Sequence, residues 1–133
     1  MAKDLVVDAS ALIDLFLGGP LGETVLWRLA GNALHSPAHL DAEVLSAVGH
    51  LEWTGALDEA TAASMLERLA AAPIERHPVG GLLAGAWERR AELRLADALY
   101  VELAQDLGVS LVTTDVRFRK VPSADVVFTS LGS

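Results

Sequence analysis

Short apolar runs alternate with apolar positions at helical spacing, and that alternation predicts strands separated by helices. Leu5-Val6-Val7 is an apolar run of strand length, and it ends on Asp8. Ala11, Leu12, Leu15 and Phe16 then recur at helical spacing, and Gly18-Gly19-Pro20 stops that helix. Residues 21–31 fit a second helix with Val25, Leu26 and Leu29 inward, followed by a short strand at Ala33-Leu34-His35. Ser36-Pro37 predicts a helix start, with Ser as the cap and Pro at the first helical position. Leu40, Val44, Ala47, Val48 and Leu51 supply that helix with its apolar stripe. Residues 57–72 read as a further helix, opened by Asp58 and closed before Pro73. Ile74-Glu75-Arg76 predicts a third strand, and residues 79–93 a helix with Gly80 and Gly81 near its start. Residues 97–107 form a strong helical pattern, with Leu99, Leu103 and Leu107 in line and Gly108 at the C-terminal end. Residues 109–113 read as a buried strand, 115–119 as a turn or short helix, and Val126-Val127-Phe128 as a last strand.

Short apolar strands between helices imply an α/β fold, a parallel sheet with helices on both faces. Ligands of such sheets bind outside the carboxyl ends of the strands. Two strands end there on an acid: Val6-Val7-Asp8, and Leu111-Val112-Thr113-Thr114-Asp115.

The 133 residues suit one domain, and 52% apolar residues are enough to fill one core. There is no cysteine, which excludes disulfides and thiolate metal sites and agrees with a reducing compartment. The first residues lack the apolar core of a signal peptide, and no apolar run approaches a membrane span. The expectation is a soluble cytoplasmic protein with no membrane partner. A net charge of −8 argues against broad phosphate binding. Seven of the ten basic residues, however, fall from Arg76 onward (Arg76, Arg89, Arg90, Arg94, Arg117, Arg119 and Lys120), where they can form a local patch or an ordinary solvated face.

Four acids have surroundings that suggest chemistry. Asp8 and Asp115 follow buried strands, Glu43 lies beside the apolar Val44 in the helix after Ser36-Pro37, and Asp97 begins the Asp97-Ala98-Leu99-Tyr100 helix. Converging carboxylates suit magnesium, a hard cation that prefers oxygen ligands and leaves room for water and a substrate phosphate. Each acid also has a bland reading: Asp8 and Asp115 as helix caps, Glu43 as a solvated helix residue, Asp97 as a first-turn acid answering the helix dipole.

The order of the set is what makes it specific. Val6-Val7-Asp8-Ala9-Ser10-Ala11-Leu12 resembles the first motif of PIN-domain ribonucleases, and Ala42-Glu43-Val44-Leu45 resembles the second. The stretch Leu95-Ala96-Asp97-Ala98-Leu99-Tyr100-Val101-Glu102-Leu103-Ala104 resembles the third, and Leu111-Val112-Thr113-Thr114-Asp115-Val116-Arg117-Phe118 the fourth. The length is that of VapC toxins, the ribonuclease half of bacterial and archaeal toxin–antitoxin pairs. The resemblance implies a single PIN domain over residues 1–130, a three-layer α/β/α sandwich with a short central parallel sheet. It implies a magnesium-dependent endoribonuclease (manganese substituting) that cuts structured or translational RNA, and an active site of Asp8, Glu43, Asp97 and Asp115. Ser10 and Thr113 match positions where the family often has a hydroxyl near the metal or its waters, although Ser10 can also cap a helix and Thr113 fill a strand end. Arg90 lies where many VapC toxins carry an arginine before the third motif, a candidate for contact with RNA or the site. Val116 departs from the family, standing where relatives often have a polar or basic residue. The implied partners are a cognate VapB-type antitoxin and a second copy of the chain in a homodimer.

Other readings fit less well. A haloacid-dehalogenase-type phosphatase would carry a second aspartate where Ser10 stands, and a response-regulator receiver would need paired early acids and a late lysine. A nucleotide-binding fold would need a glycine-rich loop after the first strand, and Asp8-Ala9-Ser10-Ala11-Leu12 is not one. The alternative from another class is a catalytically silent PIN-like module that binds RNA or protein. His35, His39, His50 and His77 show no shared ligand spacing, and His39, four residues before Glu43, reads as a surface or core histidine. Trp27, Trp53 and Trp87 read as packing or interface residues.

Overall fold

Five short strands form one sheet in the order β3-β2-β1-β4-β5, every neighbouring pair parallel, in a computed structural model that describes residues 2–129. The elements run β1 (Asp4–Val7), α1 (Ala9–Leu17), α2 (Gly19–Leu29), β2 (Ala33–Pro37), α3 (Leu40–Trp53), α4 (Glu59–Ala71) and β3 (Ile74–His77). A 3-10 turn (Gly80–Leu82) leads to α5 (Leu83–Glu88), α6 (Leu95–Leu107) and β4 (Leu111–Thr113), and a second 3-10 turn (Val116–Lys120) to β5 (Ala124–Val126). Parallel neighbours need crossover connections, and the helices supply most of them. The α/β sandwich is therefore the expected one. The outer residues of the expected domain span, Met1 and Ser130, lie outside the described residues.

The chain builds outward from β1 through β2 to β3, then returns to the other side of β1 for β4 and β5. The direction reverses between β1 and β4, the position where open α/β sheets place their ligands. These central strands are also the most apolar. Val6, Val7, Leu111 and Val112 are fully buried, with Leu12, Val44, Tyr100 and Val101 packed in the same core. Gly85 lets α5 lie close on α6, because a side chain there would overlap the Glu102 carboxylate. Among the described residues, no helix is long and apolar enough to cross a membrane.

Several local expectations need correction. Ser36 does not cap α3. Ser36 and Pro37 continue β2 and pair with Arg76 and His77 of β3. The pairing of β2 with β1 is registered only as far as His35, so Pro37 sits where its missing N–H is not needed on that side. The helix starts instead at Leu40 after His39, which gives no side-chain cap. Gly19 and Pro20 open α2 rather than lying between helices. The helix expected over 79–93 is shorter, because glycines weaken its start and i to i+3 bonds at Arg89, Arg90 and Glu92 wind it down. The last strand falls at Ala124–Val126, two residues earlier than expected, where it pairs with β4. Of the two roles expected for Trp27 and Trp53, packing is excluded by exposures of 84% and 85%, and the interface role stays open.

Candidate active site

Asp8 caps α1 at the end of β1 and is 97% shielded from solvent, with a relative exposure of 3%. One carboxylate oxygen accepts the Ala11 N–H at 2.9 Å and the Ser10 hydroxyl at 2.8 Å. The other accepts the Thr113 hydroxyl at 2.5 Å. Burial pushes the Asp8 carboxyl up from 3.8 to about 6, against the lowering pull of Thr113, Ala11 and Ser10. Thr113 is itself fully buried at the end of β4, and its Oγ1 accepts the Asp115 N–H at 3.0 Å. Ser10 Oγ accepts the Thr114 N–H at 3.3 Å and lies 3.2 Å from Thr113 Oγ1. The two hydroxyls thus tie the end of β1 to the end of β4 through Asp8.

Asp115 caps the following 3-10 turn, accepting the Arg117 N–H at 2.9 Å. The Arg117 guanidinium also grips this carboxylate on both oxygens, at 2.5 to 3.0 Å. Those hydrogen bonds hold Asp115 below the ordinary carboxylate range and raise the already high pKa of Arg117. Asp97, in the first turn of α6, accepts from Arg94 Nε at 3.1 Å and lies 3.6 Å from Arg117 Nη2.

Glu43 stands in the first turns of α3, and its Oε1 accepts the Tyr100 hydroxyl at 2.5 Å. Burial, then the neighbouring Glu43 carboxylate, raise the Tyr100 phenol well above its usual value, so it remains a donor. His39 packs its ring on Tyr100 at 4.7 Å, bonds the Ala96 carbonyl through Nε2 at 2.9 Å, and lies 3.5 Å from Glu43. All four acids therefore stand at or near helix N-termini, where backbone dipoles favour negative charge. For Asp8 and Asp115 the capping role and a place in the site are compatible.

Asp8, Glu43, Asp97 and Asp115 line one cleft of about 210 Å³, together with Ser10, Tyr100, Arg94 and Arg117. The cleft lies at the carboxyl ends of β1 and β4, the reversal point of the sheet. A larger hollow of about 690 Å³ lies at the other end of these strands, around Leu5, Gly108 and Ser110, and includes none of the four acids. The acids share the cleft but do not close into one tight cage. Among the described residues, the one group of three ligating side chains with atoms all within 4.8 Å of one another is His35, Glu75 and His77.

Arg90 is not part of the cleft; it lies over the Trp87 ring at 4.5 Å and donates to the Trp87 carbonyl at 2.9 Å. Nor do the late basic residues form one patch. Arg76 is engaged by Asp41, Arg89 by Glu102, and Arg119 lies over the Phe128 ring, whereas Arg94 and Arg117 line the cleft. The sequence does not by itself single out Arg94, Arg117 or Tyr100, and His39 reads there as a surface or core histidine. One available signal was helical spacing: Arg94, Asp97 and Tyr100 are three residues apart and so share a face.

The model of the PIN domain family, described as "PIN domain", matches residues 5–124. Ribonuclease VapC3 of Mycobacterium tuberculosis is 50% identical over 127 residues, 94% of this chain and 93% of its own length. Ribonuclease VapC12 of the same species is 34% identical over 113 residues, 85% of this chain and 88% of its own. Among solved structures, PAE2754 from Pyrobaculum aerophilum superposes with a TM-score of 0.67 at 28% identity, covering 95% of this chain and 85% of that one. The sarcin–ricin-loop-cleaving toxin VapC20 of Mycobacterium tuberculosis shares the fold, with a TM-score of 0.69 at 18% identity over 93% of this chain and 99% of its own. With half of its residues shared along nearly the full length of one such relative, the chain belongs to the PIN-domain family and, within it, to the VapC ribonucleases.

Proposed function

We propose that the acidic cleft is where this VapC ribonuclease cuts RNA, and that Asp8, Glu43, Asp97 and Asp115 hold the magnesium ion it uses, with manganese able to substitute. We further propose that one PIN domain spans residues 1–130. The observation that carries the reading is the meeting of four acids from four separate elements in one cleft at the reversal of the sheet. The donor set fits: every candidate ligand is a carboxylate oxygen, as magnesium prefers. Asp8 supports the fit, since a carboxylate buried at this depth gains from a cation beside it. Such an ion, when bound, would supply a water of lowered pKa and a positive charge against the phosphate.

The chain's own groups divide the remaining work. Ser10, Thr113 and the Ala11 amide fix the Asp8 carboxylate in one orientation. Tyr100 holds one oxygen of Glu43 and leaves the other free for the ion. Arg94 and Arg117, paired now with Asp97 and Asp115, provide planar donors that match a phosphodiester. A partner antitoxin blocks the same cleft by laying apolar anchors in the groove of Leu83, Trp87, Leu95 and Leu99 and sending an arginine to the acids. The solved relatives include a toxin–antitoxin complex from Klebsiella pneumoniae, which supports a partner of that kind. A homodimer is the expected oligomer, and cytoplasm the expected compartment.

Incubation with a mixed RNA pool tests the reading. Cleavage should require magnesium or manganese, stop with excess EDTA, and be absent from an Asp8→Ala control. Cleavage that survives exhaustive chelation would overturn the metal assignment. Binding of RNA without cleavage under every metal would favour the silent module. Expression of the chain alone should arrest growth and fragment RNA, and coexpression with a genetically adjacent antitoxin should relieve both.

A further inference from the structure

We propose a second metal site, distinct from the acidic cleft, in which His35, Glu75 and His77 bind a zinc-type divalent cation while Asp4 positions His35. The site arises from the sheet register. His35 of β2 lies directly opposite Glu75 of β3, and His77, two residues further along β3, returns to the same face. His35 Nδ1 faces His77 Nε2 at 2.9 Å and Glu75 Oε2 at 3.3 Å, while His77 Nε2 and Glu75 Oε2 are 4.0 Å apart. Zinc bonds of about 2.0–2.1 Å in a tetrahedron set neighbouring ligand atoms about 3.4 Å apart, and the three distances straddle that value.

The other nitrogen of His35 supplies an independent argument. Its Nε2 lies 2.8 Å from Asp4 Oδ1, the arrangement in which a carboxylate orients a metal-ligating imidazole. A neutral histidine carries one ring N–H. With that proton directed at Asp4, the Nδ1 lone pair points at the same spot as His77 Nε2 and Glu75 Oε2, where a cation would take all three. The two imidazoles are mostly shielded, at 13% and 23% exposure, whereas the Glu75 side chain is 67% exposed. The open side admits the ion and leaves a fourth position for water. Two imidazoles and one carboxylate suit zinc better than magnesium. None of these side chains lines the acidic cleft, so this site would fasten the edge strand β3 to β2 without taking part in RNA cleavage.

The test uses the full chain, stripped with chelator, desalted, and held in millimolar magnesium to occupy the acidic cleft. Zinc is then titrated by calorimetry, and melting is followed in parallel. The parent should bind one equivalent and melt at a higher temperature with zinc. Replacing zinc with cobalt should give the visible absorption of a tetrahedral ion. His77→Gln should weaken zinc by more than the roughly 10–100-fold typical of an outer partner, and Asp4→Asn by about tenfold. Glu75→Gln, on the exposed edge, serves as the second ligand variant should His77→Gln not fold. His77→Gln should keep magnesium-dependent RNA cleavage, and Asp8→Asn should keep the zinc site. Three results would each overturn the proposal: no saturable binding by the parent, unchanged affinity in the ligand variants, or zinc binding lost with Asp8→Asn. Because the acidic cleft is tested by cleavage and this site by zinc, failure of one reading leaves the other standing.

Discussion

Asp8 and Asp115 both follow a central strand and both cap the helical turn that comes next, yet their carboxyl groups are displaced in opposite directions. Burial pushes Asp8 up to about 6, whereas the hydrogen bonds of Arg117 hold Asp115 below the ordinary range. The cleft therefore has two unlike walls. On the wall of Asp8 and Glu43, Ser10, Thr113 and Tyr100 donate through hydroxyls, which carry no charge. On the wall of Asp97 and Asp115, the donors are the guanidinium groups of Arg94 and Arg117. The first wall is short of positive charge and gains most from a metal ion. The second already has its cations, on exposed and movable side chains that can turn toward a phosphate.

The largest effect expected from this contrast is in the pH dependence of stability without metal. Raising a carboxyl from 3.8 to about 6 means that folding favours its protonated form. The stabilisation this gives is complete below pH 3.8 and is lost as pH rises through about 6, a change of about 3 kcal/mol. Asp115 has the opposite sign: its lowered pKa stabilises the fold above the usual carboxylate value and is lost only in stronger acid. Urea melts across pH 4 to 7 in EDTA should show the Asp8 decline, and Asp8→Asn should remove it. A parent whose metal-free stability rises through that window would contradict the assignment.

Disturbing the other wall should cost activity more than stability. Arg117→Ala should lower kcat/KM for RNA by about 100-fold, the scale of losing one charged donor to a developing oxyanion. The melting temperature should hardly change, since the Arg117 side chain is about half exposed and its ion pairs are screened. Arg117→Lys should restore little, because an ammonium lacks the planar fork. Full activity in Arg117→Ala would confine the residue to neutralising Asp115.

Thr113→Val should have the next largest effect. It removes the donor to a buried carboxylate oxygen at constant shape and should destabilise the metal-free protein by about 2 kcal/mol. Chemical denaturation in EDTA would measure it, and no loss would mean that Asp8 finds another donor. Tyr100→Phe should be the mildest change, reducing cleavage by about tenfold through a freer Glu43, with a stability cost of about 1 kcal/mol. A variant inactive to the same degree as Asp8→Ala would give Tyr100 a more direct role than holding Glu43.

The two walls were not equally legible in the sequence. Asp8 and Asp115 stand out because each ends an apolar run, and a buried parallel strand is readable as such a run. Glu43 and Asp97 are legible through motif order, whereas the start of α3 is not. Ser36-Pro37 carries a strong local helix-start signal, and pairing with β3 overrides it. Arg94 and Arg117 were visible as charges, but which cations reach the acids depends on how α6 and the turn after β4 meet in space. The pairing of His35 with His77 was beyond sequence reading, because the residues are 42 positions apart and adjoin only through the β2–β3 register.

Thermal melting of the parent and of Asp8→Asn, each in EDTA and in millimolar magnesium, tests most directly whether the acidic cleft is the metal site. Asparagine keeps the shape and most of the capping ability of aspartate while removing its charge. The parent should melt higher with magnesium, because the ion binds the folded state. The variant should melt no lower than the parent in EDTA and should lose most of the magnesium shift. An undiminished magnesium shift in Asp8→Asn would contradict the account and place the ion elsewhere.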